Sequence, residues 1–398
     1  MPKTDLYKKR IKKYKNKVIE QNIVKDIFGK SKELMGSAKE IQNYIRKLPE
    51  AERKIIIRHI ADTKNHYKAI ERLFIRKEKR KAVDSLFFSF DELPLFGKEY
   101  WFMKFTSDTG SKTQLLFMFG RSAGDVEING KYLKNKKLSP DKHQGYVVSW
   151  AYDDEQKSIV DDPSTIKISK TSIDVKNKSV FASFSGSFPE YNLNISKNDK
   201  EICSLKIIEP ENETLKFEIC ENYKVFLGYD LVNLYFDFKG KLFGKDFSGK
   251  CYVQKVVVVG PFIPWRWGRI VFKNNSILTY FIPNLELLGL EYRIDSYFSY
   301  YDSISKKSYK YTDVDVYAFP CAEDYTRWIV TGNKNNLFIC MKSYSHETFR
   351  FKKWSNFTYI EYLVEVVDFS LTLDGKNIRL KDVGGGIGMV EDTGGYVF

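Results

Sequence analysis

The chain has 398 residues, of which 43% are hydrophobic and 29% are charged, and its formal net charge is +14. The apolar share excludes a globally disordered chain, and the length predicts two or three domains at about 100–200 residues each. The sequence has no apolar run of about 18 residues and no apolar segment near its start, so neither a membrane-spanning helix nor a secretory signal is predicted. The 5 cysteines are scattered without C-x-x-C spacing, which favours a reducing cytoplasm and gives no reason to expect a metal or another cofactor.

The positive charge is concentrated near the start of the chain. Residues 1–90 hold 25 basic and 11 acidic residues, whereas the remainder holds 40 of each. The remainder therefore offers no general basic surface, and nucleic acid is not an expected partner for it.

Residues 3–82 are rich in Lys, Arg, Glu, Ile and Leu and are predicted to be helical. Within residues 3–30, apolar side chains recur at helical spacing opposite a lysine-rich face, as in a basic amphipathic helix. Such a helix can lie on an anionic membrane, follow a nucleic-acid backbone, or pack on the body with a solvated basic face. No recognition-helix or zinc-finger pattern supports nucleic acid. The membrane interpretation predicts a cytoplasmic protein that is peripheral at the inner membrane surface.

From about Leu86 onward, short alternations of aromatic or β-branched residues with polar ones are separated by Gly, Asn, Asp and Lys turns. More than a dozen strands are predicted, and examples are 113–119, 165–169, 172–175, 180–184, 252–259, 267–272, 277–282, 337–341, 359–367 and 369–373. This pattern predicts a mainly β fold of antiparallel sheets closed on themselves, because open edges of this length would aggregate.

Two prolines within residues 260–264 cannot continue a central strand, and the β region is too long for one small barrel. The predicted organisation is a basic helical region at 1–85 followed by two barrel-like or sandwich-like β domains at 86–260 and 261–398.

Several common catalytic signatures do not occur. The sequence has no P-loop, no H-E-x-x-H and no dinucleotide fingerprint after a strand. The Gly-rich run at 384–388 is not followed by a predicted helix, so it offers phosphate no helix N-terminus. It is predicted to form a turn or a close approach of two backbones.

The strongest local pattern combines aromatic, amide and guanidinium groups in neighbouring strands. Residues two apart in a strand share a face, so Tyr252 points with Gln254, and Trp265 and Trp267 point with Arg269. Two indoles and a guanidinium can line an apolar pocket with a polar floor, or they can be a core tryptophan pair with a stacked arginine. In the first interpretation all five residues bind substrate.

The run from Gly249 to Gly268, with a tyrosine three residues after the glycine and a Trp-x-Trp-Gly strand, resembles the mid-chain signature of the hydroxyneurosporene synthase (carotenoid 1,2-hydratase) superfamily. Its relatives include attachment-protein-like proteins and fungal Diels–Alderases. Where the carotenoid enzymes carry Asp-His-Asn after the tyrosine, this chain has Gln254, Lys255 and Val256. The resemblance covers about residues 88–398. It implies two lipocalin-like antiparallel β-barrel or sandwich domains and a hydrophobic, isoprenoid-like substrate held between or within the barrels.

The resemblance also implies acid-initiated hydration, cyclisation or isomerisation of an alkene. This chemistry needs a carboxylic acid in a dry site, with aromatic faces that stabilise the cation. Glu391 and Asp237 are the predicted catalytic acids. Glu391 follows the Gly-rich run, which is expected to fold this part of the chain into a barrel mouth, whereas alternation places Asp237 opposite Phe236 and Phe238, on a face that is more often exposed.

Other carboxylates are expected to be structural or solvated. Glu361 and Glu365 share one face of strand 359–367 and fit an outer face, and Asp295 is expected to pair with Arg293. No metal site is predicted.

Three functions remain open from the sequence. The first is a cofactor-independent hydratase, cyclase or isomerase acting on a hydrophobic isoprenoid or lipid-like substrate in a β-barrel pocket. The second is a non-catalytic lipocalin-like carrier of such a ligand, with the basic helices docking on a membrane or partner. The third is an inert β scaffold bearing a protein or nucleic-acid interaction module. The oligomeric state does not follow from the sequence.

Overall fold

The computed structural model describes residues 82–90, 93, 97–108, 110–210, 216–224, 227–259, 264–287, 290–293, 296–321, 325–334, 336–353 and 355–395. The described helices are α1 (Ala82–Phe87) and α2 (Leu380–Val383), and neither is long and apolar enough to cross a membrane. The strands up to residue 259 are β1 (Gly97–Ser107), β2 (Gln114–Ser122), β3 (Val126–Ile128), β4 (Lys131–Leu133), β5 (Lys137–Ser139), β6 (Lys142–Asp153), β7 (Glu155–Ile168), β8 (Ser172–Lys176), β9 (Val180–Ser187), β10 (Glu190–Lys197), β11 (Lys200–Ile208), β12 (Lys216–Lys224), β13 (Leu227–Leu242) and β14 (Lys245–Val259). The later strands are β15 (Trp265–Phe272), β16 (Ile277–Leu287), β17 (Leu290–Arg293), β18 (Tyr297–Asp302), β19 (Lys307–Tyr311), β20 (Val314–Pro320), β21 (Thr326–Gly332), β22 (Leu337–Lys352), β23 (Asn356–Leu373), β24 (Lys376–Arg379) and β25 (Gly386–Gly395).

The first sheet is a closed antiparallel barrel. Its neighbouring strands follow the order β11-β10-β9-β8-β7-β6-β2-β1-β14-β13, and β13 pairs back onto β11 to complete a ring of 10 strands. Closure leaves the ring without a free edge, which is how a long antiparallel sheet avoids pairing with other chains.

The second sheet has 13 strands and the central order β19-β18-β16-β15-β25-β23-β22-β21-β20. Side chains from strands near both ends of this order, including Phe298 on β18 and Val316 on β20, contribute to one core, so the sheet curls on itself. The hairpin β3–β4 comes from the first part of the chain but pairs with β22.

Three separate cores hold these sheets together. One fills the first barrel, a second lies inside the curled second sheet, and a third is a layer between the two sheets. Strands such as β1 alternate between cores: Trp101, Met103 and Phe105 face the barrel, whereas Phe102 faces the layer. Both faces of these strands are buried, so a polar residue on either face can be buried as well.

Helix α1 packs into the first barrel. Its apolar residues Val83, Leu86 and Phe87 belong to the barrel core. The Asp84 carboxylate accepts hydrogen bonds from the Phe188 amide at 3.0 Å and from the Tyr191 hydroxyl at 2.7 Å. Side chains of this helix thus occupy part of the barrel interior.

The prediction of a mainly β protein with two antiparallel, barrel-like halves is confirmed. The predicted helical region at 1–85 lies almost entirely outside the described residues, since only its last four residues belong to them. The bounds 86–260 and 261–398 stay a prediction.

Candidate active site

The layer between the sheets carries a buried polar cluster, built from rows of side chains on the second sheet. Glu391 on β25 lies opposite Glu361 on β23 and, on its other side, opposite Trp267 on β15. Two residues further along β25, Thr393 lies opposite Tyr359, and its hydroxyl accepts a hydrogen bond from the Trp265 amide at 2.6 Å. Regular antiparallel register therefore brings two carboxyls, a phenol and two indoles together.

Short hydrogen bonds join five of these groups into what we call the carboxyl cluster: Trp150, Glu361, Tyr359, Glu391 and Trp265. The Tyr359 hydroxyl oxygen lies 2.7 Å from Oε1 of Glu361 and 2.9 Å from Oε1 of Glu391. The Trp150 indole N–H donates to Oε2 of Glu361 at 2.6 Å, and the Trp265 indole N–H donates to Oε2 of Glu391 at 2.6 Å. Trp150 comes from β6, so the first sheet completes a cluster based on the second.

The geometry of the cluster favours a proton shared between the two carboxyls. A tyrosine hydroxyl has one hydrogen to donate, yet the oxygen of Tyr359 is within hydrogen-bond distance of two carboxyl oxygens. If both carboxyls were ionised, one oxygen would face a lone pair of the hydroxyl without a proton between them. Both contacts are satisfied when one carboxyl is protonated and donates to the Tyr359 oxygen while the hydroxyl donates to the other carboxyl.

Burial favours the same protonation state. Burial raises the pKa of Glu361 from 4.5 to about 8 and that of Glu391 from 4.5 to about 7, although the tyrosine and indole hydrogen bonds act in the opposite direction. Glu361 is 0% exposed and Glu391 is 8% exposed. A carboxylic acid proton held near neutral pH in a dry layer is available for transfer.

Two cations lie beside the cluster in the same layer. Burial, and then the charge of Arg269, hold the pKa of Lys104 well below its usual value, while both glutamates act to raise it. The Lys104 ammonium donates to the Arg269 carbonyl oxygen at 3.2 Å, which ties β1 to β15. The charge of Lys104 also lowers the pKa of Glu391, so Lys104 stabilises the carboxylate left after proton transfer.

The five predicted substrate-binding residues lie in this layer, in two groups. Tyr252 stacks on Trp267, with ring centroids 5.6 Å apart, and the Arg269 guanidinium lies 5.4 Å from the Tyr252 ring. The Gln254 amide donates to the Tyr252 hydroxyl at 2.6 Å. Trp265 belongs instead to the carboxyl cluster. The chain therefore brings together the predicted substrate-binding residues and Glu391, and their role in binding stays a prediction.

The predicted apolar pocket beside the two indoles stays a prediction, and both indole rings have aromatic neighbours. The Trp267 ring forms a triangle with Tyr252 and Phe102, with ring centroids 5.6 to 6.1 Å apart. The Trp265 ring centroid lies 5.4 Å from that of Phe357 and 5.8 Å from that of Tyr359. Tyr252 stacks on Trp267 at an interplanar angle of 24°, so it covers one face of that indole. The indole N–H of Trp265, rather than its ring face, contacts the Glu391 carboxyl.

The predicted outer-face position of Glu361 is wrong. Glu361 follows Phe357 and Tyr359 on one face of β23 and precedes Leu363, and all four are buried in the layer. The alternate face carries Ile360, Tyr362 and Val364, so both faces of the strand are largely apolar in the sequence. This two-sided apolar pattern is typical of a strand buried on both sides, and it is the feature of the sequence that could have indicated a buried Glu361.

Asp237 does not belong to the carboxyl cluster, and Asp295 is not among the described residues. The Asp237 carboxylate forms an ion pair with Lys250 at 2.7 Å, and its side chain is 25% exposed. Asp237 takes no part in the hydrogen bonds of the carboxyl cluster, and its catalytic role stays a prediction that the pairing with Lys250 does not favour. Asp295 and the side chain of Arg293 are outside the described residues.

The Gly-rich run explains how Glu391 reaches a central strand. Gly384 ends α2 with φ of 75°, and Gly385 has φ of 76°, which turns the chain into β25. At Gly388 a Cβ atom would overlap the carbonyl oxygen of Arg269. Glycine there lets β25 lie directly against β15, so Glu391 occupies a central strand rather than a barrel mouth as predicted.

The run Gly-Arg-Ser-Ala-Gly at 120–124 has the spacing of a hydrolase nucleophile elbow but not its structure. Ser122 is the last residue of β2, and the next element is the strand β3 rather than a helix. A nucleophile elbow requires a sharp turn from a strand into a helix, so this run does not define a serine nucleophile.

Within the part of the chain that the structure describes, no three His, Cys, Asp or Glu side chains come together in a way that would hold a metal ion. The groups that gather in the layer are carboxyls, indoles, tyrosines, amides and buried cations. Such groups can form hydrogen bonds and exchange protons.

Comparison with known proteins gives remote structural matches alone. No known protein family and no curated protein sequence matches the chain. The crystal structure of CghA with Sch210972 superposes with a TM-score of 0.42 at 9% identity, covering 76% of this chain and 89% of that one. A protein described as AttH from Nitrosomonas europaea gives a TM-score of 0.35 at 11% identity, covering 74% of this chain and 92% of that one.

Proposed function

We propose that the protein is a cofactor-independent acid–base enzyme that protonates an alkene of a hydrophobic, isoprenoid-like substrate between its two β sheets. The observation that supports the proposal is the single hydroxyl of Tyr359 between the Glu361 and Glu391 carboxyls, whose two contacts are both satisfied when one carboxyl is protonated. The substrate class comes from the sequence resemblance and from the aromatic character of the layer.

Glu391 is the proton donor in this proposal, because it is the more exposed of the two carboxyls. Half-buried apolar side chains border the layer on its side, among them Tyr100, Met118 and Phe281. The Met118 sulfur lies 3.9 Å from the Tyr359 hydroxyl. Methionine is unbranched and adaptable, so Met118 can move aside to admit a hydrocarbon segment.

The reaction balances without another reagent. Glu361 gives its proton to the Tyr359 oxygen while the Tyr359 hydroxyl passes its own hydrogen to Glu391. The Glu391 carboxylic acid then gives a proton to one alkene carbon, and the other carbon becomes a carbocation beside aromatic rings. In hydration, water forms the new C–O bond and returns a proton to the Glu391 carboxylate. In isomerisation, the carboxylate takes a proton from the neighbouring carbon, and a new double bond forms. Either route leaves Glu391 protonated for the next turnover, while Glu361 and Tyr359 hold it in position.

Isotope incorporation tests this proposal even while the product is unidentified. The full-length protein is incubated with acyclic isoprenoid alkenes in D2O and in H2 18O, and the recovered lipids are analysed by mass spectrometry. Isomerisation predicts deuterium in the alkene, and hydration predicts one 18O.

Glu391→Gln removes the proton donor and is expected to abolish incorporation, whereas Glu365→Gln, on the same face of β23 as Glu361 but in a partly exposed ion pair with Lys112, is expected to retain it. Incorporation by Glu391→Gln at the native rate would disprove the assignment of Glu391. Binding of alkenes without incorporation by the native protein would favour the carrier.

Docking of residues 3–30 on an anionic membrane remains part of the proposal, together with a peripheral cytoplasmic location. It is tested by flotation of the full chain with vesicles that contain or lack anionic lipid. Replacing Lys8, Lys9, Arg10 and Lys12 with Gln is expected to reduce flotation with anionic vesicles, because each basic residue near the surface contributes about 1 kcal/mol. Flotation that ignores both lipid charge and these substitutions would contradict membrane docking.

A further inference from the structure

A cleft of about 510 Å³ lies away from the carboxyl cluster and is lined from both halves of the chain. Lys112 and Tyr152 come from the first sheet region, and Lys342, Tyr344 and Glu365 come from the second. The volume falls within the range of about 300–1,000 Å³ that is usual for small-molecule sites. The lining is largely polar, so the cleft suits a polar ligand rather than a hydrocarbon.

The cleft is separated from the carboxyl cluster by packed side chains. Glu361 and Glu365 lie on the same face of β23, and Leu363 stands between them opposite Met389 of β25. Leu363 and Met389 are both 0% exposed. A ligand in the cleft therefore meets a closed apolar wall in this direction, and the cleft is a second site that does not depend on the proposed function.

The charge of the cleft favours an anion. The Lys112 ammonium forms an ion pair with Glu365 at 2.9 Å and lies 5.0 Å from the Tyr344 ring centroid. The Lys342 ammonium lies 4.1 Å from the Tyr325 ring centroid. Two ammonium groups thus line the cleft, each beside an aromatic ring that restricts its position. Glu365 pairs with Lys112 and lies opposite Lys342, so the three side chains leave one net positive charge for an anionic ligand to neutralise.

The walls of the cleft are held in place by hydrogen bonds across the two halves. Gln114, which is 0% exposed, donates to the Tyr344 hydroxyl at 2.6 Å, and that hydroxyl donates to the Lys112 carbonyl oxygen at 3.1 Å. The Ser345 hydroxyl donates to the Gln156 amide oxygen at 2.5 Å. A site built this way is largely formed before its ligand arrives, which lowers the entropic cost of binding.

We propose that this cleft binds a small phosphate monoester that carries a sugar or another ring. Lysine ammonium groups bind phosphate as point charges, and Lys112 and Lys342 supply two of them. The faces and edges of Tyr152, Tyr325 and Tyr344 accept a ring beside the phosphate. The ligand bridges the two sheets, because its groups contact residues from both.

Titration calorimetry on the full-length protein tests this site with four probes: inorganic phosphate, glucose 6-phosphate, adenosine monophosphate and adenosine. The phosphate monoesters are expected to bind with saturation, inorganic phosphate more weakly, and adenosine not at all. Lys112→Gln combined with Lys342→Gln is expected to weaken binding of the monoesters by about 100-fold, because each lost charged hydrogen bond accounts for about tenfold or more.

Lys310→Gln is the matched control, since Lys310 is also a lysine beside a tyrosine ring, 4.2 Å from the Tyr297 ring centroid, but lies outside the cleft. It is expected to leave binding unchanged. Protection from acetylation gives a second readout on the unmutated protein: a bound monoester should protect Lys112 and Lys342 but not Lys310. Failure of every monoester to bind at millimolar concentration, or binding that neither protects these lysines nor responds to their removal, would overturn the proposal.

Discussion

Replacement of Glu361 by Gln is expected to become increasingly stabilising, relative to the native protein, as the pH rises from acidic to alkaline. The amide has nearly the same shape as the carboxylic acid. Its oxygen can accept the Trp150 N–H, and its NH2 group can donate to the Tyr359 oxygen, which leaves the hydroxyl hydrogen for Glu391. The variant therefore keeps the network in the state that the native protein has when Glu361 is protonated, at every pH.

The size of the effect follows from the pKa of Glu361, which burial raises from 4.5 to about 8. Between these values the folded chain binds one proton more than the unfolded chain, so the free energy of unfolding falls as pH rises through this range. The pKa difference corresponds to a loss of about 5 kcal/mol at full ionisation. At about 2 °C per kcal/mol, the native melting temperature should fall by about 10 °C relative to that of Glu361→Gln between about pH 5 and pH 9.

Thermal unfolding followed by circular dichroism at both pH values measures this difference. Glu365→Gln controls for loss of a carboxyl from the same face of the same strand, and its ion pair with Lys112 is partly exposed, so it should follow the pH dependence of the native protein. Parallel pH curves for the native protein and Glu361→Gln would refute the conclusion that Glu361 is protonated in the fold near neutral pH.

Two further substitutions test the surroundings of Glu391. Trp265→Phe removes the indole N–H that donates to the Glu391 carboxylate at 2.6 Å, so the pKa of Glu391 should rise further. An infrared titration of the protonated carboxyl band in D2O measures this rise. An unchanged titration would mean that the hydrogen bond does not stabilise the carboxylate. Gly388→Ala should destabilise the fold by about 3 kcal/mol in chemical denaturation, because its methyl group would overlap the Arg269 carbonyl, whereas Gly394→Ala on the same strand has no neighbour within 4 Å and should be nearly neutral. Equal stability of the two glycine variants would contradict the close approach of β25 to β15.

The class of fold and the gathering of its central residues are predictable from the sequence because alternation is a local property. Alternation predicts strands at 252–259 and 267–272, where β14 extends over Lys245–Val259 and β15 begins at Trp265. Since residues two apart share a face, the pairs Tyr252 with Gln254 and Trp267 with Arg269 follow from the sequence alone.

The carboxyl cluster is not predictable in the same way, because it depends on which sheet covers which face. Alternation places Glu361 on a face of β23 but gives no information about a second sheet lying on that face. Trp150 completes the cluster from 211 residues away in the sequence, a contact that neither spacing nor composition indicates. The hydrogen-bond partner of the buried carboxyl is a property of the packing of two sheets.

The hairpin β3–β4 makes the two halves of the chain mutually dependent. It is encoded within the first half, yet Ile128 and Glu127 pair with Phe351 and Lys352 of β22, and the Asn129 amide donates to the Arg350 carbonyl at 2.9 Å. A C-terminal fragment that starts at Trp265 would therefore lack this hairpin from its sheet. The N-terminal fragment would carry the hairpin without its partner strand β22. The two halves are therefore expected to fold together as one unit, because the second sheet includes a hairpin from the first half of the chain.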